Sequence, residues 1–313
     1  MKNKLVIIAP CYNEEDIIEY SIQKLNLLLE DLIYENLVSI ESKICFVNDG
    51  SKDKTADIIQ KYCDENKKIV LLNLTKNYGQ QNAILAGINT LEADIYVTID
   101  ADLQDNHLII KDMVKKYLEG CDIVYGIRKK RETDSFFKKS SAFLFYKFMN
   151  LIGIKIRQNH SEFRLMSKNT VEKLKQYREK ALFLRGIVQN IGLKSKDVYY
   201  DSLQRQAGKS KYSFINLLGL AWCAITSFSI FPLRLITFVG AITSFISVLI
   251  LLYGIISYFK HYSTPGWTSI IMTIAFFSGI IIMSLGIIGE YLGKVLIEVK
   301  DRPLYQIEDS VNL

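Results

Sequence analysis

The sequence predicts an α/β domain built on a mainly parallel sheet, followed by interfacial helices and a two-helix transmembrane hairpin. Two observations carry that expectation. Up to about Asp201, short apolar runs alternate with amphipathic stretches at the spacing of βαβ units, which join parallel strands through right-handed crossovers. Beyond Phe214 charges almost vanish, and the apolar stretches become long enough to cross a membrane.

The first strand is Leu5-Val6-Ile7-Ile8-Ala9, broken by Pro10, and a helical pattern follows from about Glu14 to Asp31. Ile44-Cys45-Phe46-Val47 ends at Asn48-Asp49-Gly50-Ser51, before a helix over about Lys54 to Glu65. Ile69 to Leu74 ends at Lys76-Asn77-Tyr78-Gly79-Gln80, where another helix starts. Tyr96-Val97-Thr98-Ile99 runs into Asp100-Ala101-Asp102-Leu103-Gln104-Asp105, then a helix over about His107 to Glu119 and a strand at Asp122 to Gly126. Strand exits of a parallel sheet lie along one edge, where ligands bind, so Tyr12, Glu14, Asp49, Lys76 and Asp102 are candidates to line one cleft.

Asp100 and Asp102 carry the most specific chemistry. Two carboxylates at a strand exit can hold a hard cation such as Mg²⁺ or Mn²⁺, which in turn can hold a diphosphate. The competing reading is a helix N-cap with surplus charge, and Asp105 is read as capping or local support. The Gly-x-Gly-x-x-Gly fingerprint and the P-loop Gly-Lys-Ser/Thr are both missing, which argues against a dehydrogenase or an ATPase.

Over 313 residues the net charge is +6, drawn partly from Arg128-Lys129-Lys130-Arg131, Lys138-Lys139 and Lys209-Ser210-Lys211. Beside membrane segments, such stretches suit anionic lipid or phosphorylated substrates better than nucleic acid. The five cysteines form no Cys-x-x-Cys pair and read as reduced, packed residues of a cytosolic domain. Three histidines make a zinc cluster a poor fit. The N-terminus enters strand-like sequence at once, so no signal peptide is expected.

From 135 to 152, aromatic residues stand beside lysines, which suits either a helix packed on the sheet or one lying in the membrane interface. Residues 213–231 are a second interfacial candidate. Leu235 to Phe259 and Tyr262 to Gly289 contain no charged residue, giving spans at about 234–259 and 267–290 within a 232–293 segment. Arg234, Lys294, Lys300 and Arg302 flank the hairpin against Lys260 alone in its loop. That bias places both termini and the 294–313 tail in the cytoplasm.

Five motifs occur in order: Pro10-Cys11-Tyr12-Asn13-Glu14-Glu15, Asn48 to Thr55, Asn77-Tyr78-Gly79-Gln80, Asp100 to Asp105, and Gly208-Lys209-Ser210-Lys211-Tyr212. With the ending Gly289-Glu290-Tyr291-Leu292-Gly293 and Arg302-Pro303-Leu304-Tyr305, the chain resembles family 2 glycosyltransferases of the polyprenyl-phosphate type. It is similar to the bactoprenol-phosphate enzymes and, more distantly, to dolichol-phosphate mannose synthase. The resemblance implies a GT-A fold over residues 1–212 and inverting transfer from a UDP-sugar, glucose or N-acetylglucosamine, to a polyprenyl phosphate. It implies a Mg²⁺ or Mn²⁺ cofactor, a homo-oligomer and a multi-pass protein of the inner membrane, supplying cell-envelope glycan or O-antigen decoration. By resemblance, Pro10, Tyr12, Glu14 and Asp49 hold the nucleoside; Asp100, Ala101 and Asp102 lie at the diphosphate, with the metal on Asp102 supported by Asp100. Gln104 and Arg128 lie near the sugar and phosphates, while Arg205, Lys209 and Lys211 bind phosphate groups.

Two departures stand out. Many relatives have two aspartates where this chain has Asn48-Asp49, and Asp-Phe-Arg where it has Glu162-Phe163-Arg164. Glu162 is read either as a group acting at the metal, the sugar hydroxyls or as a weak base, or as a structural carboxylate paired with Arg164. A processive polysaccharide synthase should carry Gln-x-x-Arg-Trp and more spans, and neither is present; a non-catalytic scaffold should have lost Asp49, Asp100 and Asp102, and all remain.

Overall fold

A computed structural model describes residues 2–129, 160–177, 179, 184–201, 231–259 and 266–313. The expected interfacial segments at 135–152 and 213–231, the latter except for Phe231, together with Arg205, Lys209 and Lys211, lie outside the described residues. The described chain falls into two compact units; one holds the N-terminal part together with Pro303–Leu313, and the other holds two long helices.

The first unit is a layered α/β structure. Its strands are β1 (Leu5–Cys11), β2 (Lys43–Asn48), β3 (Ile69–Leu74), β4 (Ile95–Thr98), β5 (Ile123–Arg128), β6 (His160–Ser167), β7 (Ser195–Tyr200) and β8 (Ile307–Val311). The helices between them are α1 (Ile18–Tyr34), α2 (Thr55–Glu65), α3 (Gln80–Thr90), a 3₁₀ turn at His107–Ile109 leading into α4 (Ile110–Leu118), α5 (Lys168–Leu174) and α6 (Leu184–Asn190). β1 is buried along its whole length because helices cover both faces, which is why it reads as an uninterrupted apolar run. Leu5, Ile7 and Ala9 join a core shared with Ile18, Ile22, Leu25, Leu29 and Leu32, the helically spaced face of α1. The alternate residue Ile8 faces α3 so closely that a Cβ on Gly87 would lie 2.8 Å from its Cγ2.

Strand order is β7-β5-β6-β4-β1-β2-β3-β8. The chain builds from β1 through β2 to β3, then returns to the other side of β1 with β4, so the order reverses between β1 and β4. A crevice opens outside the strand ends at such a switch point. The expectation of a mainly parallel sheet needs correction: β1–β2, β1–β4, β2–β3 and β5–β7 are parallel, but β4–β6, β5–β6 and β3–β8 are antiparallel, making the sheet mixed. β6 enters between β4 and β5, so these two strands, consecutive in sequence, are not neighbours in space.

β8 is, with β6 and β7, one of three strands that the sequence does not announce, and it lies in the segment expected as the 294–313 tail. Asn312, at φ 61°, secures its end: Nδ2 donates to the carbonyls of Cys63 at 2.6 Å and Ile69 at 2.9 Å, and Oδ1 accepts from Lys67 Nζ at 3.0 Å. Asn312→Ala removes all three bonds and is expected to lower stability by about 1–3 kcal/mol. Thermal unfolding of the full chain measures this, and a wild-type melting point would show that β8 is held without the Asn312 side chain.

The second unit contains α7 (Phe231–Phe259) and α8 (Trp267–Lys300), which touch each other. Among the described residues, Phe276–Lys300 is the helix stretch long and apolar enough to cross a membrane.

Candidate active site

Three loops leave β1, β2 and β3 at the crevice and are fastened to one another. Asn13, in left-handed backbone at φ 52°, donates its N–H to Ser51 Oγ at 3.0 Å and accepts Lys52 N–H on Oδ1 at 2.8 Å. Glu14 N–H donates to Thr55 Oγ1 at 2.9 Å. Pro10 lies buried in β1, with Tyr12 and Glu14 half-buried beyond it. Asp49 is 3% exposed and accepts the N–H groups of Tyr78 at 2.7 Å and Gly79 at 2.8 Å, one on each oxygen. Burial pushes its carboxyl above the ordinary range, against the pull of those two N–H groups. Asp49 therefore holds the β3–α3 loop. Asn48 continues the network, donating to Asn73 Oδ1 at 2.9 Å, while Asn73 donates to Asp309 of β8 at 2.6 Å.

The β4 exit is a tight turn. Leu103 N–H donates back to the Asp100 carbonyl at 3.2 Å, and Leu103 itself adopts φ 46° with its side chain buried. Left-handed backbone is unfavourable for a leucine and persists because the surroundings over-determine it. The Ala101 carbonyl accepts Ser21 Oγ of α1 at 2.5 Å, fixing the turn from below. Asp102 accepts Gln104 N–H at 3.2 Å and Gln104 Nε2 at 2.7 Å, so Gln104 supports Asp102 in this geometry. Asp100 accepts Gln80 Nε2, at the start of α3, at 2.5 Å. Burial first, then the charges of Asp105, Asp102 and Glu162, push the Asp100 carboxyl up to about 7, against the pull of Arg128.

Asp105 turns out to be no helix cap. Asn106 caps the 3₁₀ turn by accepting Leu108 N–H at 3.1 Å. Asp105, fully buried, instead accepts Arg128 Nε at 2.7 Å, Tyr200 OH at 2.5 Å and Ser161 Oγ at 2.9 Å. Arg128, at the end of β5, is thereby fixed with its side chain 38% exposed. Burial works against its charge, but Asp105 more than offsets this and holds the guanidinium above its usual value.

Glu162 is 3% exposed and lies between two arginines. One oxygen pairs with Arg164, and the other accepts Arg185 Nε of α6 at 2.7 Å. The structure thus brings Asp100, Asp102, Gln104, Arg128 and Glu162 to one edge, with the loops carrying Tyr12, Glu14 and Asp49 beside them. The Arg164 pairing matches the structural alternative weighed for Glu162. Gln80, which ends the Asn77–Gln80 motif, is not among the expected site residues, and neither are Ser161, Arg185 and Tyr200, which no motif marks and only the fold brings to the site. The buried cysteines Cys11, Cys45, Cys63 and Cys121 are free thiols.

Among the described residues, no group of three or more His, Cys, Asp or Glu side chains converges at metal-ligand spacing. Magnesium does not require one, since it is commonly held by one or two carboxylates together with substrate phosphates. The two hard oxygen donors, Asp100 and Asp102, and the crowding of negative charge around Asp100 fit that chemistry.

The glycosyl transferase family 2 model matches residues 6–175. The uncharacterized glycosyltransferase YkoT of Bacillus subtilis is 45% identical over 306 residues, spanning 97% of this chain and 91% of that protein. The SfII prophage-derived bactoprenol glucosyl transferase of Shigella flexneri is 36% identical over 310 residues, covering 98% of each. The crystal structure of mannosyl-3-phosphoglycerate synthase from Rubrobacter xylanophilus aligns with a TM-score of 0.49 at 13% identity, over 71% of this chain and 72% of that one. With the family match extending over more than half of the chain and similarity to bactoprenol glucosyl transferases running nearly end to end, the protein belongs to glycosyl transferase family 2.

Proposed function

We propose that this glycosyltransferase moves glucose or N-acetylglucosamine from its UDP donor to a polyprenyl phosphate, with inversion, at the cytoplasmic face of the membrane. The observation that carries this reading is the Asp100–Asp102 pair at the β4 exit, at the switch point, with a tethered arginine beside it. The near full-length similarity to bactoprenol glucosyl transferases supports the acceptor class. The lengths of α7 and α8 support a two-span hairpin carrying the GT-A unit, and the flanking basic residues support cytoplasmic ends. By the resemblance of its motifs to polyprenyl-phosphate glycosyltransferases, we propose further a homo-oligomer whose lipid-linked product serves cell-envelope glycan or O-antigen decoration.

Asp100 and Asp102 would hold Mg²⁺ or Mn²⁺, which when bound neutralises charge on a departing nucleoside diphosphate as a Lewis acid. Arg128, held rigid by Asp105, presents fixed positive charge to the same leaving group without reorganising during the reaction. The loops joined by Asn13, Asp49 and Glu14 fix the nucleoside end of the cleft. A phosphate monoester acceptor has a second pKa of about 6 and is largely ionised at neutral pH. It needs alignment more than a strong base, a task for Arg205, Lys209 and Lys211. Glu162, engaged by two arginines, serves the site by holding them rather than by taking a proton.

The test incubates membranes containing the protein with polyprenyl phosphate, Mg²⁺ or Mn²⁺, and a panel of labelled nucleotide sugars. A lipid-linked product from one UDP-sugar is expected, and EDTA should abolish it until the cation is restored. Absence of lipid-linked product from every donor would overturn the reading.

A further inference from the structure

We infer that Asp309 is a positioning residue for the nucleoside-binding loops and that it acts on them through Asn73 and Asn48. The inference rests on the nucleotide-sugar reading above and gives the C-terminal strand a part in donor binding.

Cys11, Asn48, Asn73 and Asp309 are direct partners across β1, β2, β3 and β8, so they form one rung of the sheet. It is the last rung of β1 and β2, where both strands give way to the loops at the crevice. In the rung before it, Pro10, Val47 and Leu72 are buried and apolar. Here three side chains are instead bonded in series. Asn73 Nδ2 donates to Asp309 Oδ1 at 2.6 Å, Asn48 Nδ2 donates to Asn73 Oδ1 at 2.9 Å, and Asn48 Oδ1 accepts the Ser51 N–H at 3.1 Å. Ser51 Oγ in turn accepts the Asn13 N–H at 3.0 Å. The series therefore runs from the edge strand to the loops that follow β2 and β1.

Its direction is set at both ends. An asparagine amide can face either way, but a backbone N–H only donates and a carboxylate at neutral pH only accepts. Ser51 and Asp309 thus demand the same orientation of the two amides between them. Asn48 is 5% exposed, so its NH₂ needs a fixed acceptor. Asn73 is half-buried, and its bond to Asp309 keeps its oxygen turned inward to Asn48. Without the carboxylate, Asn73 is free to swing toward water, and the cost falls on Asn48 and the Ser51 loop. β8 itself loses little, because Asp309 is exposed and the strand is secured by its backbone pairing and by Asn312. The register slips directly after this rung: Leu74 faces Ile307, and Glu308 is left over. Bulges of this kind re-aim side chains and are frequent beside active sites.

The test uses full-length protein in detergent and three readouts: affinity for UDP with Mn²⁺, affinity for undecaprenyl monophosphate, and amide hydrogen exchange over residues 48–55. Asp309→Val should weaken UDP binding about 3- to 10-fold, the scale of one lost hydrogen bond, with a near wild-type melting point and faster exchange. Asn73→Asp sets two carboxylates face to face across the rung and should cost about 10-fold. Adding Asp309→Asn to that variant returns a donor to the new acceptor with the polarity reversed, and should recover most of the UDP affinity and the slow exchange. Lipid affinity should stay at the wild-type value throughout. Wild-type UDP affinity in both single variants overturns the inference, as does a double variant no better than Asn73→Asp. An equal fall in lipid affinity also overturns it, because that marks general loosening. If the wild-type protein binds no UDP, the donor reading fails separately, and the exchange rates still decide whether Asp309 holds the loop.

Discussion

Asp102→Asn is expected to lower sugar transfer at least about 100-fold, the scale of losing one preorganised charge-stabilising group. Folding should be untouched. Asp102 is half-buried in the turn after β4, where its carboxylate accepts the backbone N–H and side-chain amide of Gln104. Asparagine retains one oxygen acceptor, and the Gln104 amide can rotate to meet the new NH₂ group. The substitution removes one negative charge from a pair proposed to hold a divalent cation, leaving Asp100 as its remaining carboxylate. A melting curve and a membrane-fractionation assay should match wild type while the lipid-linked product disappears. Wild-type turnover in this variant would remove Asp102 from the chemistry. Excess Mn²⁺ is expected to restore only a small part of the activity, since a neutral amide oxygen is a weaker ligand for a hard cation than a carboxylate.

The strands and exits were legible because burial on both faces writes them as continuous apolar runs. β1, β2 and β3 were readable from Leu5 to Ala9, Ile44 to Val47 and Ile69 to Leu74, and the observed strands extend those runs by two residues at most. β8 gives no such signal: an edge strand of five residues, mostly exposed, reads as an ordinary polar tail. β6 was hidden for a different reason. Its Glu162 and Arg164 are charged residues at buried positions, and they are tolerated only because they pair with each other and with α6. In the site, Asp100 and Asp102 could be read because their spacing and strand exit already state a chemistry. Asp105 and Arg185 could not, since their meaning depends on partners distant in sequence: Asp105 meets Tyr200 across 95 positions, and Arg185 meets Glu162 across 23.

Gly50→Ala is expected to lower stability by about 2–5 kcal/mol and to weaken UDP binding at the same time, combining a left-handed backbone penalty with overpacking. Gly50 has φ +66°, and a Cβ built there would lie 2.5 Å from the carbonyl carbon of Lys76 and 2.7 Å from Asn77 N. Both are backbone atoms, so no side-chain rotation relieves the contact; the whole β3–α3 loop must move. That loop is held by the neighbouring Asp49, whose oxygens accept the N–H groups of Tyr78 and Gly79, and shifting it leaves a buried carboxylate without partners. The displacement then passes to Gln80 and its bond to Asp100, which is why binding should fall along with the melting point. Gly79→Ala is the control. Gly79 also has positive φ, at +90°, but nothing lies within 4 Å of its Cβ position, so it should show only the backbone cost. Thermal unfolding and UDP calorimetry on both variants separate the two contributions. Equal effects would mean that backbone conformation alone requires glycine at position 50, whereas a much larger loss in Gly50→Ala means that the close approach of two strand-exit loops does.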